Sequence, residues 1–336
     1  MKKRKIGELE VSEIGMGCMG FSHGYGQVPE ESYSIEAIRK AHAFGCTFFD
    51  TAESYGNVMF EAGHNERLVG KAVEPFRKAV VLATKFHLRP EECAGGVTVY
   101  EAVRRHLEAS LKNLRTDYAD LYYLHRVNEN VPFEEEAEAM GRLMREGLIR
   151  AWGMSQVSAS TLQKAHAVTT VSAVQNLYSM VERDCEKEIF PFCLGHGITV
   201  VPFSPIASGF LSGKITADTR FEAVDDVRNW VPQLQKENIR ANQPLLDILA
   251  EYAQRKNATN AQVSLSWMLH KYPNVVPIPG SKNQERILEN LGAGGVEFTE
   301  EEFKALESAL NACEVHGHRG HVESEQTSFG NHWKKQ

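Results

Sequence analysis

No run in these 336 residues approaches the 18 or so consecutive apolar positions that a membrane-spanning helix needs. The opening MKKRKIGELEVSE is basic but has no apolar segment behind it, so the expectation is an unexported, soluble protein. Positive charge is not in excess: 37 Lys and Arg stand against 44 Asp and Glu, a net charge of −7, which argues against a general field for nucleic acid or anionic lipid. The six cysteines, Cys18, Cys46, Cys93, Cys185, Cys193 and Cys313, form no C-x-x-C pair, unlike a disulfide framework or a zinc ribbon. A reducing cytoplasm is the expected compartment. No Pro-, Gly- or Ser-rich linker divides the chain.

What is present is alternation. Short β-branched or aromatic runs fall at 47–50, 80–85, 120–125, 150–155, 173–175, 199–203 and 275–279, with helix-length amphipathic segments between them. Thr98-x-x-Glu101, Thr259-x-x-Gln262 and Thr299-x-x-Glu302 read as capping boxes at helix starts, and Gly147 and Gly195 as helix stops. A first strand near Val11 to Gly15 brings the count to eight. The expected fold is therefore a single α/β domain over 1–336, a (β/α)8 barrel with an N-terminal β-hairpin, a long loop after strand seven and a C-terminal tail over 313–336. The interval from Phe203 to Val275 is about twice the others and carries FEAVDDVRNWVPQLQKENIRAN before two helices, near Gln243 to Lys256 and Asn260 to His270. An insertion of that length after a barrel strand reads as a lid or specificity loop.

Gly15-x-Gly17-x-x-Gly20 matches the dinucleotide-binding glycine pattern, but helical periodicity begins only near Ser32, so no helix N-terminus follows the glycines. They read instead as a tight turn that brings backbone close to a ligand. His316, His318, His321 and His332 lack a companion cluster with metal-ligand spacing, so no metal is assigned; the tail is expected to cover the substrate mouth.

Barrel chemistry sits at the carboxyl ends of the strands. There the runs end in Asp50, Lys85 and His125, with Tyr55 five residues after Asp50. A lysine ending an apolar inward-facing strand needs a carboxylate partner, and the neighbouring strand supplies one. That pair should favour the Tyr55 phenolate and draw its pKa down from about 10, while His125 can hydrogen-bond the same reacting oxygen.

These residues, together with Asp50-Thr51-Ala52-Glu53-Ser54-Tyr55-Gly56, Leu124-His125-Arg126, Trp152-Gly153-Met154-Ser155, Gln175-x-x-Tyr178-Ser179, Pro202-Phe203-Ser204-Pro205-Ile206 and Ile278-Pro279-Gly280-Ser281-Lys282 with Arg286, Glu289 and Asn290, resemble the aldo-keto reductase family from Ile6 to about Ala312. The resemblance implies hydride transfer between a nicotinamide cofactor and a carbonyl or alcohol, with Tyr55 as proton donor, Lys85 and Asp50 tuning it and His125 orienting the substrate. It implies that Ser155, Gln156 and Gln175 hold the carboxamide and that Phe203 stacks on the ring. Gly17, Cys18, Met19 and Asp50 would also touch the cofactor, whose other end would lie along Ser204, Pro205, Ile206, Gly209, Lys214, Gly280, Ser281, Lys282, Arg286, Glu289 and Asn290. Phe203 and Gln156 depart from the Tyr and the Asn or Glu of many relatives.

Lys282 and Arg286, four apart at a helix entry, suit a 2′-phosphate, so NADP(H) is expected over NAD(H). Phe21, Tyr25, Phe86, Arg126, Trp230 and Trp333 are the candidate substrate walls; an inward Arg126 would favour an acidic substrate. Two other classes compete: a cofactor-sensing NADPH-binding module with little turnover, which would need a protein partner that nothing in the sequence suggests, and a metal-dependent barrel hydrolase, for which no strand end supplies a His-x-His pair.

Overall fold

A computed structural model describes residues 1–223 and 225–319. It opens with an antiparallel hairpin, β1 (Lys3–Ile6) and β2 (Leu9–Ser12), turned at Gly7, whose φ of 57° suits a two-residue hairpin loop. Parallel strands and helices then alternate: β3 (Met16–Gly17), α1 (Glu31–Ala43), β4 (Phe48–Asp50), α2 (His64–Val73), β5 (Val81–Phe86), α3 (Val99–Leu114), β6 (Ala119–Leu124), α4 (Phe133–Arg145), β7 (Ile149–Ser155), α5 (Ala159–Val168), β8 (Ala173–Gln175), α6 (Ile189–His196) and β9 (Thr199–Val200). Helices α7 (Lys236–Ala241), α8 (Gln243–Arg255), α9 (Asn260–Lys271), α10 (Gln284–Leu291) and α11 (Glu300–Asn311) follow. None of the described helices is long and apolar enough to cross a membrane.

Among the described residues the sheet has seven parallel strands, β3 to β9 in sequence order, where eight were expected. The eighth run, 275–279, forms only isolated bridges, Val200 with Val275 and Gly17 with Gly280. Proline explains the shortfall. Val276 and Ile278 donate to the carbonyls of Val200 and Pro202, but on the β3 side the run offers Pro277 and Pro279, which can accept from Gly15 and Gly17 and have no N–H to return. The first strand also shifts: 9–12 belongs to the hairpin, and the parallel sheet starts at Met16.

The period of two divides the sheet's side chains between two cores. Phe48, Val81, Ala83, Leu121, Tyr123 and Ala151 meet Ile6 and Val11 of the hairpin on the inner face, while Phe49, Leu82, Tyr122, Trp152 and Met154 pack outward under the helices. All three expected capping boxes form, at Thr98, Thr259 and Thr299. Gly147 follows its helix at φ 76°; Gly195 stays inside α6, which ends instead at Gly197, where φ is 67°. The glycine pattern fails as a dinucleotide motif for the expected reason, since Gly20 lies in a 3-10 turn and α1 begins only at Glu31.

Gly70 separates propensity from packing. Alanine in an exposed helix is worth about 1 kcal/mol over glycine, but a Cβ here would stand 2.8 Å from the Leu114 backbone, and overpacking costs about 1–3 kcal/mol. Gly70→Ala should therefore lower stability in a urea titration, not raise it.

Candidate functional site

The strand ends open into one elongated cleft of about 590 Å³. Alternation decides which side chains reach it. Phe48 faces inward, so Asp50 does too; Val81 and Ala83 face inward, so Lys85 and then His87 follow; Leu121 and Tyr123 lead in the same way to His125. Phe86 takes the opposite face and stacks on Tyr122 at 5.0 Å, so it is no substrate wall. Phe21 is likewise buried in the outer core. Trp230 is 64% exposed and does not line the cleft, and Trp333 lies outside the described residues. Of the expected walls, Tyr25 and Arg126 do line it.

The four candidate catalytic residues come together. Lys85 Nζ donates to Asp50 Oδ1 at 2.5 Å, the Thr51 carbonyl at 2.7 Å and Tyr55 Oη at 3.1 Å, which engages all three of its donors without water. Gln175 Nε2 donates to the other Asp50 oxygen at 2.8 Å. The Tyr55 ring lies edge-on to His125 (5.7 Å between centroids) and to His23 (5.5 Å), and His125 packs against His87 at 4.3 Å. His125 Nδ1 is buried with no hydrogen-bond partner.

Burial opposes the Lys85 charge, yet Asp50 and Tyr55 outweigh it and the ammonium is held above its ordinary pKa. Burial is also the largest influence on Tyr55. Lys85 does pull the phenol down as expected, but desolvation of a phenolate and the Asp50 charge exceed that pull, and the pKa lies above 10. The expectation of a lowered Tyr55 is thus reversed, and the phenol keeps its proton at neutral pH. Burial, then Arg126, hold His125 neutral well below 6.5, and the same two causes push His87 down to about 4.

The same cleft is lined by Ser155, Gln175 and Phe203, by Ser204, Pro205, Ile206, Gly209 and Lys214, and by Gly280, Ser281, Lys282, Arg286, Glu289 and Asn290; Gly17, Met19 and Asp50 also line it. Two expected cofactor contacts miss it. Cys18 is fully buried in the outer core, its thiol pushed up by burial. Gln156, at φ 56°, turns its Oε1 to accept from the Leu177 N–H at 3.2 Å. Lys282 and Arg286 do not share a helical face either: Asn283 caps α10, so Lys282 precedes it, and its Nζ donates to the Tyr25 and Gln27 carbonyls at 2.6 and 2.7 Å. Both cations still line the cleft.

The donor set fits a nicotinamide dinucleotide. His125 offers a nitrogen unpartnered among the described residues and Phe203 an aromatic ring, and Lys214, Lys282 and Arg286 supply cations for phosphates in the same cleft.

Sequence reasoning missed His23, His87, Ser208, Arg228 and Arg319. His87 was within reach, being two residues past Lys85 on the same inward face. His23, Arg228 and Arg319 come from loops whose paths carry no periodic signal. Arg319 belongs to the tail: the His318 carbonyl accepts from Gln233 N at 3.1 Å and the His316 carbonyl from Asn242 Nδ2 at 2.8 Å, which docks the tail's start on the long insertion. His321 and His332 lie outside the described residues. Among those described, no group of three His, Cys, Asp or Glu could hold a metal ion.

A parallel α/β sheet with a cation-lined cleft at its carboxyl edge, and no Rossmann turn, is the frame of a barrel-type enzyme that can hold a phosphate-bearing ligand. Residues 13–311 match the aldo/keto reductase family, and the chain belongs to it. It is 36% identical over 316 residues to a probable aldo-keto reductase 1 of Glycine max, covering 93% of this chain and 89% of that one. Similar solved structures include a thermostable aldo-keto reductase with the inhibitor epalrestat (31% identity, TM-score 0.72, 92% of this chain and 100% of that one). An aldo/keto reductase from Klebsiella pneumoniae in complex with NADP and acetate is also similar (27%, 0.72, 95% and 99%). A third is the glycerol dehydrogenase of Gluconobacter oxydans (25%, 0.80, 92% and 94%).

The Lys85–Asp50 pair is testable by itself. Removing one partner of a buried pair costs about 3–5 kcal/mol because the other charge is stranded. Lys85→Met should lose stability of that order, and adding Asp50→Asn to it should restore part of the loss in the same denaturant titration.

Proposed function

We propose that this chain is an NADPH-dependent carbonyl reductase for aldehydes or ketones, with Tyr55 as the general acid. The observation that supports this best is Tyr55 Oη at 3.1 Å from a Lys85 ammonium that Asp50 holds charged. When bound, the nicotinamide cofactor supplies the hydride. Tyr55 passes its proton from Oη to the substrate oxygen, and the phenolate left behind faces the Lys85 ammonium, which keeps its own protons. His125, neutral, hydrogen-bonds that oxygen and sets its direction. Ser155, Gln175 and Phe203 would hold the nicotinamide end. Lys214, Lys282 and Arg286 would face the phosphates, Arg286 being the cation nearest to free, since Lys282 also ties down the 25–27 loop. The docked start of the tail, 313–319, supports a cover over the substrate mouth and a single domain over 1–319; the rest of the expected tail, to 336, lies outside the described residues. Six free cysteines, four of them buried, suit the cytoplasm.

The test is NADPH oxidation with a panel of aldehydes and ketones. Tyr55→Phe should lose at least about 100-fold in kcat, the scale of general acid catalysis, while still binding NADPH; cofactor binding without turnover by the unaltered enzyme would favour a sensing module instead. Because the acid must carry its proton and the Tyr55 pKa is raised, reduction should stay level from about pH 6 to 9 and fall only near or above the ordinary phenol value of about 10. Arg286→Ala should raise the KM for NADPH by about 10-fold with little change for NADH, as expected for the loss of one charge-assisted phosphate contact; equal effects on the two cofactors would remove the 2′-phosphate assignment.

A further inference from the structure

The cleft carries two guanidinium groups, Arg126 beside His125 and Arg319 beside Ser208, that no carboxylate pairs with among the described residues. Arg126 directly follows His125; its Nη1 donates to the His125 carbonyl at 2.6 Å and to Ser155 Oγ at 3.0 Å. Arg319 enters the same cleft from the start of the tail, its Nε donating to Ser208 Oγ at 3.1 Å while its backbone N–H is taken by Glu182 Oε1. Neither guanidinium makes an ion pair among the described residues. Of the carboxylates near the cleft, Asp50 meets Lys85, Asp226 meets Arg228 and Glu289 meets Lys214, while Glu182 is engaged by the Arg319 backbone N–H and the Asp225 charge acts on His23 and Lys282. The two arginines also feel one another. Burial is the main influence lowering the Arg126 pKa, and Arg319 adds to it against the opposing pull of Tyr55. Partly buried like charges left without a counter-ion are costly unless a bound anion completes the site.

We propose that Arg126 and Arg319 bind a carboxylate of the substrate, so that the carbonyl compound this enzyme prefers is a short oxo acid. The inference rests on the reductase reading and names its substrate class. A cofactor phosphate is the weaker occupant at Arg126, because the Arg126 charge is felt at Tyr55, where the carbonyl reacts, and Lys214, Lys282 and Arg286 line the same cleft to meet phosphates. A carboxylate fits the planar guanidinium fork, and among the described residues only Nη1 of Arg126 is engaged. An acid held there while its carbonyl reaches Tyr55 and His125 has only a few carbons between the two groups.

The experiment compares kcat/KM for pyruvate and succinic semialdehyde with that for propanal and butanal, using NADPH and the full chain. The unaltered enzyme should favour at least one acid over the aldehyde of equal length by about 10-fold or more. Arg126→Gln and Arg319→Gln should each lower that ratio by about 30-fold, and Arg126→Lys should recover part of it. An unchanged ratio overturns the proposal. So does an Arg319→Gln variant in which the KM for NADPH rises and the acid-to-aldehyde ratio does not, since that assigns the guanidinium to the cofactor. Calorimetric titration of the enzyme with pyruvate in the presence of NADP separates this inference from the reductase reading, because it needs no turnover. Binding by the unaltered chain that Arg126→Gln abolishes supports the anion site even if no carbonyl is reduced, and equal or absent binding in both rejects it.

Discussion

A lysine ammonium buried to zero exposure is the constraint around which the rest of this molecule is arranged. Such a charge persists only where every donor finds an acceptor and a counter-charge lies beside it. Here the acceptors come from one stretch of chain: the Asp50 carboxylate, the Thr51 carbonyl and the Tyr55 hydroxyl. The turn after β4 therefore cannot move without stranding Lys85, and Tyr55 is fixed by the same bonds that keep the lysine charged. Gln175, reaching from β8 to the far oxygen of Asp50, extends the constraint across the sheet.

The sheet's weakest seam coincides with its binding groove. Between β9 and β3 the chain passes as 275–280, where Pro277 and Pro279 remove every second donor and only bridges form. Gly17, Ile278, Pro279 and Gly280, which meet at that seam, all line the cleft. The facing wall is strained: Ser204, Ala207 and Ser208 hold φ near 50° without being glycine. Such conformations cost about 1–3 kcal/mol each and persist where the surroundings enforce them. Irregular backbone on both walls exposes main-chain groups that a regular ladder would have consumed, which suits a surface that must hold a long polar ligand.

Much of this was legible because it follows from short-range rules. The capping threonines, the alternation of strand and helix, and the ends of the runs at Asp50, Lys85 and His125 are local facts. The period of two that turns Lys85 inward also turns Phe86 outward, so that misassigned wall lay within reach of the same rule. Gln156 was not readable: the resemblance gave the position but not its backbone, which holds a positive φ, and its side chain bonds Leu177. Lys282 failed for a similar reason, because the Asn283 cap sets where α10 begins and the spacing of four lost its helical meaning. His23, Arg228 and Arg319 depend on loop paths set by tertiary contacts, which no periodicity reports.

Charge at the reacting centre follows from which groups burial silences. His23 and His125 flank Tyr55, His87 packs on His125, and burial is the first cause lowering all three. At neutral pH they are imidazoles, able to direct a hydrogen bond but adding no field. Asp50 is matched by Lys85. Of the other charges, that of Arg126 acts on Tyr55, and its pKa, though lowered by burial, starts from an ordinary value of 12.5. The basic groups thus divide in two: histidines that burial keeps neutral, and beside them a cation able to meet negative charge.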